Sequence, residues 1–198
     1  MTDMNTPGIE TDRLILRQFT AADTPALFEL LRDEEVNRFL PWFPLTSLQQ
    51  AEEFLRERFL RYYGKPSAFR CAVCLKEEDR PIGYVWLSDG ESHDFGYALK
   101  KEYWRKGLVT EASMAVIERI RQAGYPYITA THDVNNPRSG EVMKKLGMAY
   151  KYSYLEQWQP KNIPVTFRMY QLNFDGRADR TYMGYWNQYE THFIESDI

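Results

Sequence analysis

The segment from Leu99 to Thr110, LKKEYWRKGLVT, is where residue types and spacing best support chemistry. Gly107 stands three residues before Thr110, where a helical pattern begins, so a glycine-containing loop feeds directly into a helix N-terminus. Backbone N–H groups without intrahelical partners and the positive end of the helix dipole make such a place an anion site. Lys100, Lys101, Arg105 and Lys106 add cations beside it, which suits a phosphate group. The competing reading is a plain turn, and the segment is neither GxxxxGK[ST] nor GxGxxG. Cys71 and Cys74 form a CxxC, which invites a zinc or redox site. No second CxxC or HxxxH accompanies it, and the run FRCAVCLK reads as a strand, which puts the two thiols on opposite faces. Two packed, reduced thiols and no metal are expected.

These residues must be held by one domain's worth of chain: 198 residues, net charge −3. Leu, Ile, Val and Phe make up about 23% of the sequence, enough for a packed core. The charge balance offers no field for a polyanion, so nucleic acid is not expected as a partner. No apolar run is long enough to span a bilayer, and the polar start MTDMNTPGIETD has no signal-peptide core, so no membrane partner and a cytoplasmic location are expected.

Alternation over Ile9 to Phe19 predicts a strand, and Thr20 to Asp23 then caps a helix with the stripe Ala26, Leu27, Leu30 and Leu31. The patch FLPWFPLTS turns the chain, and Ser47 caps a second helix with Arg56, Arg58 and Arg61 late. A hairpin follows, Phe69 to Lys76 and Ile82 to Ser88, then a strand from His93 to Leu99. A helix runs from Thr110 to Gly124, a strand from Tyr127 to Asp133, and a short helix from Arg138 to Lys145. Strands over about Tyr150 to Trp158 and Val165 to Phe174 close the series. The strand-helix-strand step from His93 to Asp133 makes its two strands parallel neighbours, with ligands favoured where the first strand turns into the helix.

FGYALKKEYWRKGLVTEA, followed about 30 residues on by NNPRSGEVMKKLGM, resembles the signature of the GNAT superfamily of acetyl-CoA-dependent N-acetyltransferases, and more narrowly its RimJ/RimL-like branch. The resemblance covers roughly Ile9 to Phe174. It implies an α/β (α+β) GNAT fold: a mixed, mostly antiparallel twisted sheet of about seven strands, about four flanking helices and a central β-α-β acetyl-CoA-binding unit. The implied domain is 1–174, with 175–198 an aromatic-rich extension packed on the domain or on a second subunit, and a homodimer is left open. By the resemblance, the backbone of Trp104, Arg105, Lys106, Gly107, Leu108, Val109 and Thr110 wraps the CoA pyrophosphate. Pantetheine would run beside the strand near Leu99, with Asn136 and Ser139 on its other side. Trp42 and Phe43 would border the acceptor groove, and His132 would line the acceptor site or relay a proton.

Two departures bear on mechanism. The family loop usually has Gly or Ala where this chain has Val109, so that residue must take ordinary helical angles or cofactor affinity suffers. Many members carry a Tyr seven residues after the Asn to protonate the departing thiolate, and Met143 stands there. Ser139 is the best remaining donor, with a helix cap as its competing role. The expected reaction is direct attack of a primary amine, a protein N-terminal α-amine or a small-molecule amine, on acetyl-CoA. Deprotonating a lysine amine at pH 7 costs about 4.6 kcal/mol and an α-amine only about 1 kcal/mol, so the latter asks less of a base. The resemblance implies an acid on the strand from His93 to Leu99, two residues before Gly96, which makes Asp94 the candidate carboxylate, with His93 and Glu102 as nearby competitors. A CoA-binding module without catalysis is the alternative that Met143 motivates.

Overall fold

A computed structural model describes residues 8–65 and 69–198; the polar start, residues 1–7, lies outside the described residues. Strands β1 (Ile9–Glu10) and β2 (Leu14–Arg17) form a hairpin where the alternation predicts one continuous strand. The break has a cause: Glu111 accepts hydrogen bonds from the Thr11 hydroxyl, the Arg13 amide and the Arg13 guanidinium, which pins the intervening turn. Helix α1 (Thr24–Arg32) buries Ala26, Leu27, Leu30 and Leu31, the stripe read from the sequence. A short α2 (Glu34–Asn37) follows, capped by Asp33, whose side chain accepts from the amides of Glu35 and Val36. In α3 (Leu48–Arg58) the Ser47 hydroxyl accepts from the Gln50 amide, as an N-cap should.

Strands β3 (Arg70–Leu75), β4 (Pro81–Leu87) and β5 (Phe95–Leu99) complete an antiparallel sheet of order β1-β2-β3-β4-β5. Cys71 and Cys74 are free, fully packed and divided between two core clusters on opposite faces, and burial pushes both thiols up to about 12. Helix α4 (Leu108–Gln122) covers one face of this sheet with Ala112, Val116 and Ile120, all at 0% exposure. Each such buried Val or Ile is worth roughly 1.5–3 kcal/mol against leaving it in water. Gly124 ends the helix at φ +83°, a conformation in which a side chain is strained.

β6 (Tyr127–Asp133), α5 (Pro137–Lys145), β7 (Ala149–Trp158), β8 (Ile163–Asn173), α6 (Gly184–Gln188) and β9 (His192–Phe193) build the second half, with a sheet of order β6-β8-β7-β9. The chain thus has two sheets where the sequence predicts one. The expected parallel pair, β5 and β6, touches at a single bridge, Asp94 to Thr129, with the Thr129 amide donating to the His93 carbonyl at 3.1 Å. Beyond that bridge the strands part into a V. α4 packs on the β5 side of this opening and α5 on the β6 side.

Candidate active site

The β5 edge of the V is built from backbone. The Ser88 amide donates to the Asp94 carbonyl and the Lys100 amide to the Ile82 carbonyl, so Asp94, Gly96, Ala98 and Lys100 spend their main-chain groups on β4. By the alternation of an antiparallel ladder, Phe95, Tyr97 and Leu99 aim theirs the other way, toward β6. Past the Thr129 bridge, Tyr97 and Leu99 therefore present amides to the V. The Leu99 carbonyl is met by the Trp104 indole N–H at 2.7 Å, which folds the following loop back on the strand end.

That loop delivers a helix start. Arg105 and Gly107 both have left-handed angles, φ +63° and +76°, and α4 begins at Leu108 rather than at Thr110. The first internal bond of the helix runs from the Glu111 amide to the Gly107 carbonyl, which leaves the amides of Leu108, Val109 and Thr110 without intrahelical partners. Val109 sits inside the helix and is not among the positive-φ residues, because Gly107 takes the left-handed angle one step earlier. The departure at Val109 thus carries no backbone strain.

The four cations of this segment divide. Lys100 is buried and bound to Glu29 at 2.8 Å, and Lys101 reaches Glu35 at 3.1 Å, so both serve to attach the loop to α1 and α2. Arg105 and Lys106 are exposed at the helix start. A cleft of about 460 Å³ opens here, lined by Glu35, Lys101, Glu102, Trp104, Arg105 and Arg138. Arg138 comes from the first turn of α5, so two arginines from the two sides of the V line the same opening.

Ser139 lies in the first turn of α5, its amide bonded to the Asn136 carbonyl at 3.1 Å. Asn136 itself is the N-cap residue, without a side-chain cap bond. The Tyr97 hydroxyl crosses from β5 to Ser139, 3.0 Å from both its carbonyl and its Oγ, and ties the two sides of the V together. Burial raises the Tyr97 pKa, so the phenol stays protonated. Sequence reasoning did not single out Tyr97; a Tyr on a core-facing strand position carries no local signal for a partner 42 residues away. Met143 is 1% exposed within the core, far from any donor role.

Asp94 lies on the other face of β5, the face of Gly96 and Ala98. Trp86 lies across that strand at Gly96, where an added Cβ would meet the indole Nε1 at 2.2 Å, so only Gly fits beneath the ring. Trp42 packs edge-on against Trp86 at 5.7 Å and against Phe54 at 4.8 Å, and so adjoins this face; Phe43 is 59% exposed and points away from the cluster. Asp94 is half-buried as a residue, but its Oδ1 is enclosed and has no hydrogen-bond partner. Burial pushes the carboxyl pKa up to about 7. Burial raises the pKa values of Tyr97, Tyr154, Tyr182 and Tyr185, and the Asp94 charge adds to each shift, the last two tyrosines belonging to the C-terminal extension.

His132 is on the opposite face of β6, with Ile128 and Ala130, and packs under α5. Its Nδ1 meets the Asp133 carbonyl at 2.8 Å, and a Cβ at Gly140 would come within 2.6 Å of its Nε2. Burial lowers its pKa, so it is neutral at pH 7. The structure therefore does not bring His132 together with Trp42 and Asp94.

A family model described as an acetyltransferase (GNAT) domain matches residues 13–149. The uncharacterized N-acetyltransferase YoaA of Bacillus subtilis (strain 168) is 29% identical over 172 residues, covering 84% of this chain and 96% of that protein. YnaD of the same organism is 30% identical over 144 residues, covering 71% and 81%. Among solved structures, a GNAT-family acetyltransferase from Bacillus anthracis is similar with a TM-score of 0.74 at 21% identity, over 85% of this chain and 99% of that one. RimL, a ribosomal L7/L12 alpha-N-protein acetyltransferase solved in complex with CoA, gives 0.73 at 17% identity, over 86% and 98%. The matched residues run from β2 to the start of β7 and contain the V, the glycine loop and both helices that flank it: the chain belongs to the GNAT acetyltransferase family.

Proposed function

We propose that the protein transfers the acetyl group of acetyl-CoA to a primary amine, a protein N-terminal α-amine or a small-molecule amine, by direct attack in a ternary complex. The observation that carries this reading is the open amide edge of Tyr97 and Leu99 leading to the bare amides of Leu108, Val109 and Thr110. An extended chain with two amides and a diphosphate at one end matches that run of groups, and Arg105 and Arg138 stand where the phosphates would emerge. The thioester supplies an acetyl carbonyl open to nucleophiles.

The remaining steps belong to this chain. The Asp94 carboxylate takes a proton from the incoming ammonium, directly or through one water, on the acceptor face beside Trp86 and Trp42. A base with a pKa near 7 is matched to work at neutral pH. On the other side of β5, the Ser139 hydroxyl gives a proton to the sulfur as the C–S bond breaks, and regains one through water from the nitrogen, which loses its second proton as the amide forms; the proton held by Asp94 leaves to solvent. Tyr97, protonated and 3.0 Å away, holds that hydroxyl in place.

The test is direct. Purified protein is mixed with acetyl-labelled acetyl-CoA and a panel of a Ser-initiated peptide, a polyamine and an aminosugar, and products are read by mass. An N-acetylated amine above the hydrolysis background supports the reading. Heat of acetyl-CoA binding in a calorimeter with no transfer to any amine replaces it with the non-catalytic module, and no heat at all removes both.

A further inference from the structure

We infer that the C-terminal segment is part of the catalytic site, with Tyr185 as the positioning residue that closes Asp94 off from water on the acceptor face. This rests on the reading of Asp94 as the base. The segment is held on both sides of Tyr185. Before it, the Tyr182 amide donates to the Gln171 Oε1 at 2.7 Å and the Tyr182 carbonyl accepts from the Tyr152 hydroxyl at 2.7 Å. After it, β9 pairs with β7, and Arg168 donates to both carboxylate oxygens of Glu195 at 3.0 and 2.6 Å. Between these anchors α6 sets the Tyr185 ring flat on Tyr154, 5.1 Å between centroids at 20°, and edge-on to Tyr182 at 5.3 Å. The Tyr185 hydroxyl interacts with Thr129, the partner of Asp94 in the single bridge, and with Ser92, whose carbonyl accepts from the Thr129 hydroxyl at 2.8 Å.

The groups on the Asp94 side are Tyr154 on β7 and Tyr182 and Tyr185 on the segment, whose pKa values are raised by burial first and by the Asp94 charge in addition; none donates to Oδ1 among the described residues, and the Tyr97 phenol lies on the opposite face of β5 against Ser139. Its chain neighbour His93 is occupied in packing on Tyr125 and Tyr127, at 4.9 and 5.2 Å, and burial lowers its pKa. The Asp94 amide donates to the Ser88 hydroxyl at 2.8 Å, which fixes the residue from the β4 side. A carboxylate walled by phenol rings loses hydration that nothing replaces, and is a stronger base for it. Removing the Tyr185 ring admits water and weakens the base.

The experiment uses the full chain and one acceptor throughout, with kcat measured against pH at saturating substrates, so that the acceptor's own titration is common to every variant. Tyr185→Ala is expected to lower the plateau kcat about tenfold and to move the acidic limb down by about one pH unit, with KM for acetyl-CoA within about twofold of the parent. Tyr185→Phe keeps the ring and is expected to restore most of both. Tyr185→Leu, which keeps an apolar wall should the Ala variant fold poorly, is expected to fall between them. An acidic limb unmoved in both the Ala and Leu variants, or a Phe variant as damaged as the Ala variant, overturns the inference. Asp94→Asn separates the two levels: full activity there defeats the reading of Asp94, whereas an inactive Asp94→Asn beside an unmoved limb in the Tyr185 variants defeats only the role of the segment.

Discussion

Under the proposed function, the two faces of β5 would hold their ligands by different means. On the β6-facing edge the contacts are main-chain: amides of Tyr97 and Leu99, then those of Leu108, Val109 and Thr110 behind a left-handed Gly107. On the face proposed for the acceptor they are side chains drawn from distant segments, Trp42, Trp86, Asp94, Tyr154 and Tyr185. A main-chain site needs only a fixed backbone path, and a short stretch of sequence encodes that path. A side-chain site needs several elements docked at once, so it changes more easily and announces itself less. The difference predicts that substitutions on the acceptor face alter turnover and pH dependence, while those at the glycine loop alter cofactor affinity.

The largest effect is expected from Asp94→Asn. Loss of a general base should lower turnover by 10² to 10⁴ (~2.7–5.4 kcal/mol in the barrier), with acetyl-CoA binding by calorimetry nearly unchanged. The same change should stabilise the fold. The Asp94 carboxyl is raised to about 7 in the folded chain, against roughly 3.9 unfolded. Between those values the unfolded chain has released the proton and the folded chain has kept it, so stability falls as pH rises through the window and is level above about 7. Asn removes this penalty, worth on the order of 2 kcal/mol after allowing for the part of the residue that reaches solvent. Melting curves should show the variant gaining about 5 °C over the parent at pH 8 and little at pH 4. Should Asp94→Asn lose stability together with activity, Asp94 is a structural acid and the contrast between the two faces fails.

Ser139→Ala comes next, since in the proposed reaction Ser139 serves the sulfur rather than the amine. Turnover should fall 10- to 100-fold without a matching change in acetyl-CoA affinity, because water can substitute in part as proton donor. Tyr97→Phe should cost less, about fivefold, and the double variant should be little worse than Ser139→Ala alone, because Tyr97 acts only through Ser139. Additive losses in the steady-state kinetics would show that Tyr97 contributes by a separate route.

How much of this was legible follows the same division. The stripe of α1, the strand Tyr127–Asp133, the helix end at Gly124 and the glycine loop that leads into α4 all rest on contacts near in sequence, and the structure has them close to where the sequence predicts. The break between β1 and β2 depends on Glu111, about a hundred residues away, and period-two alternation runs through it unchanged. α6 and β9 are too short to show a period and exist because β7 and Gln171 give them partners. The face that His132 takes follows from alternation within Tyr127–Asp133, but which face meets the acceptor depends on where the two sheets part. Asp94 is a candidate through a family pattern; Tyr154 and Tyr185, proposed to enclose it, carry no such signal, since they come from β7 and the C-terminal segment.

The smallest effect, and the sharpest for the comparison, belongs to Gly107→Ala. An added Cβ would lie 3.5 Å from Arg13 Nη2, ordinary contact, so no clash enters the result. What remains is the cost of holding an L-residue at φ +76°, about 1 kcal/mol. In the free protein the loop can relax and lose part of that cost, whereas a bound diphosphate requires the left-handed path to be kept. Acetyl-CoA should therefore bind about two- to at most fivefold more weakly by calorimetry, with kcat at saturating acetyl-CoA and the acidic limb of its pH profile where the parent has them. A shifted limb would mean that the backbone edge and the enclosed carboxylate are coupled through β5, and that the two faces of that strand are one site rather than two.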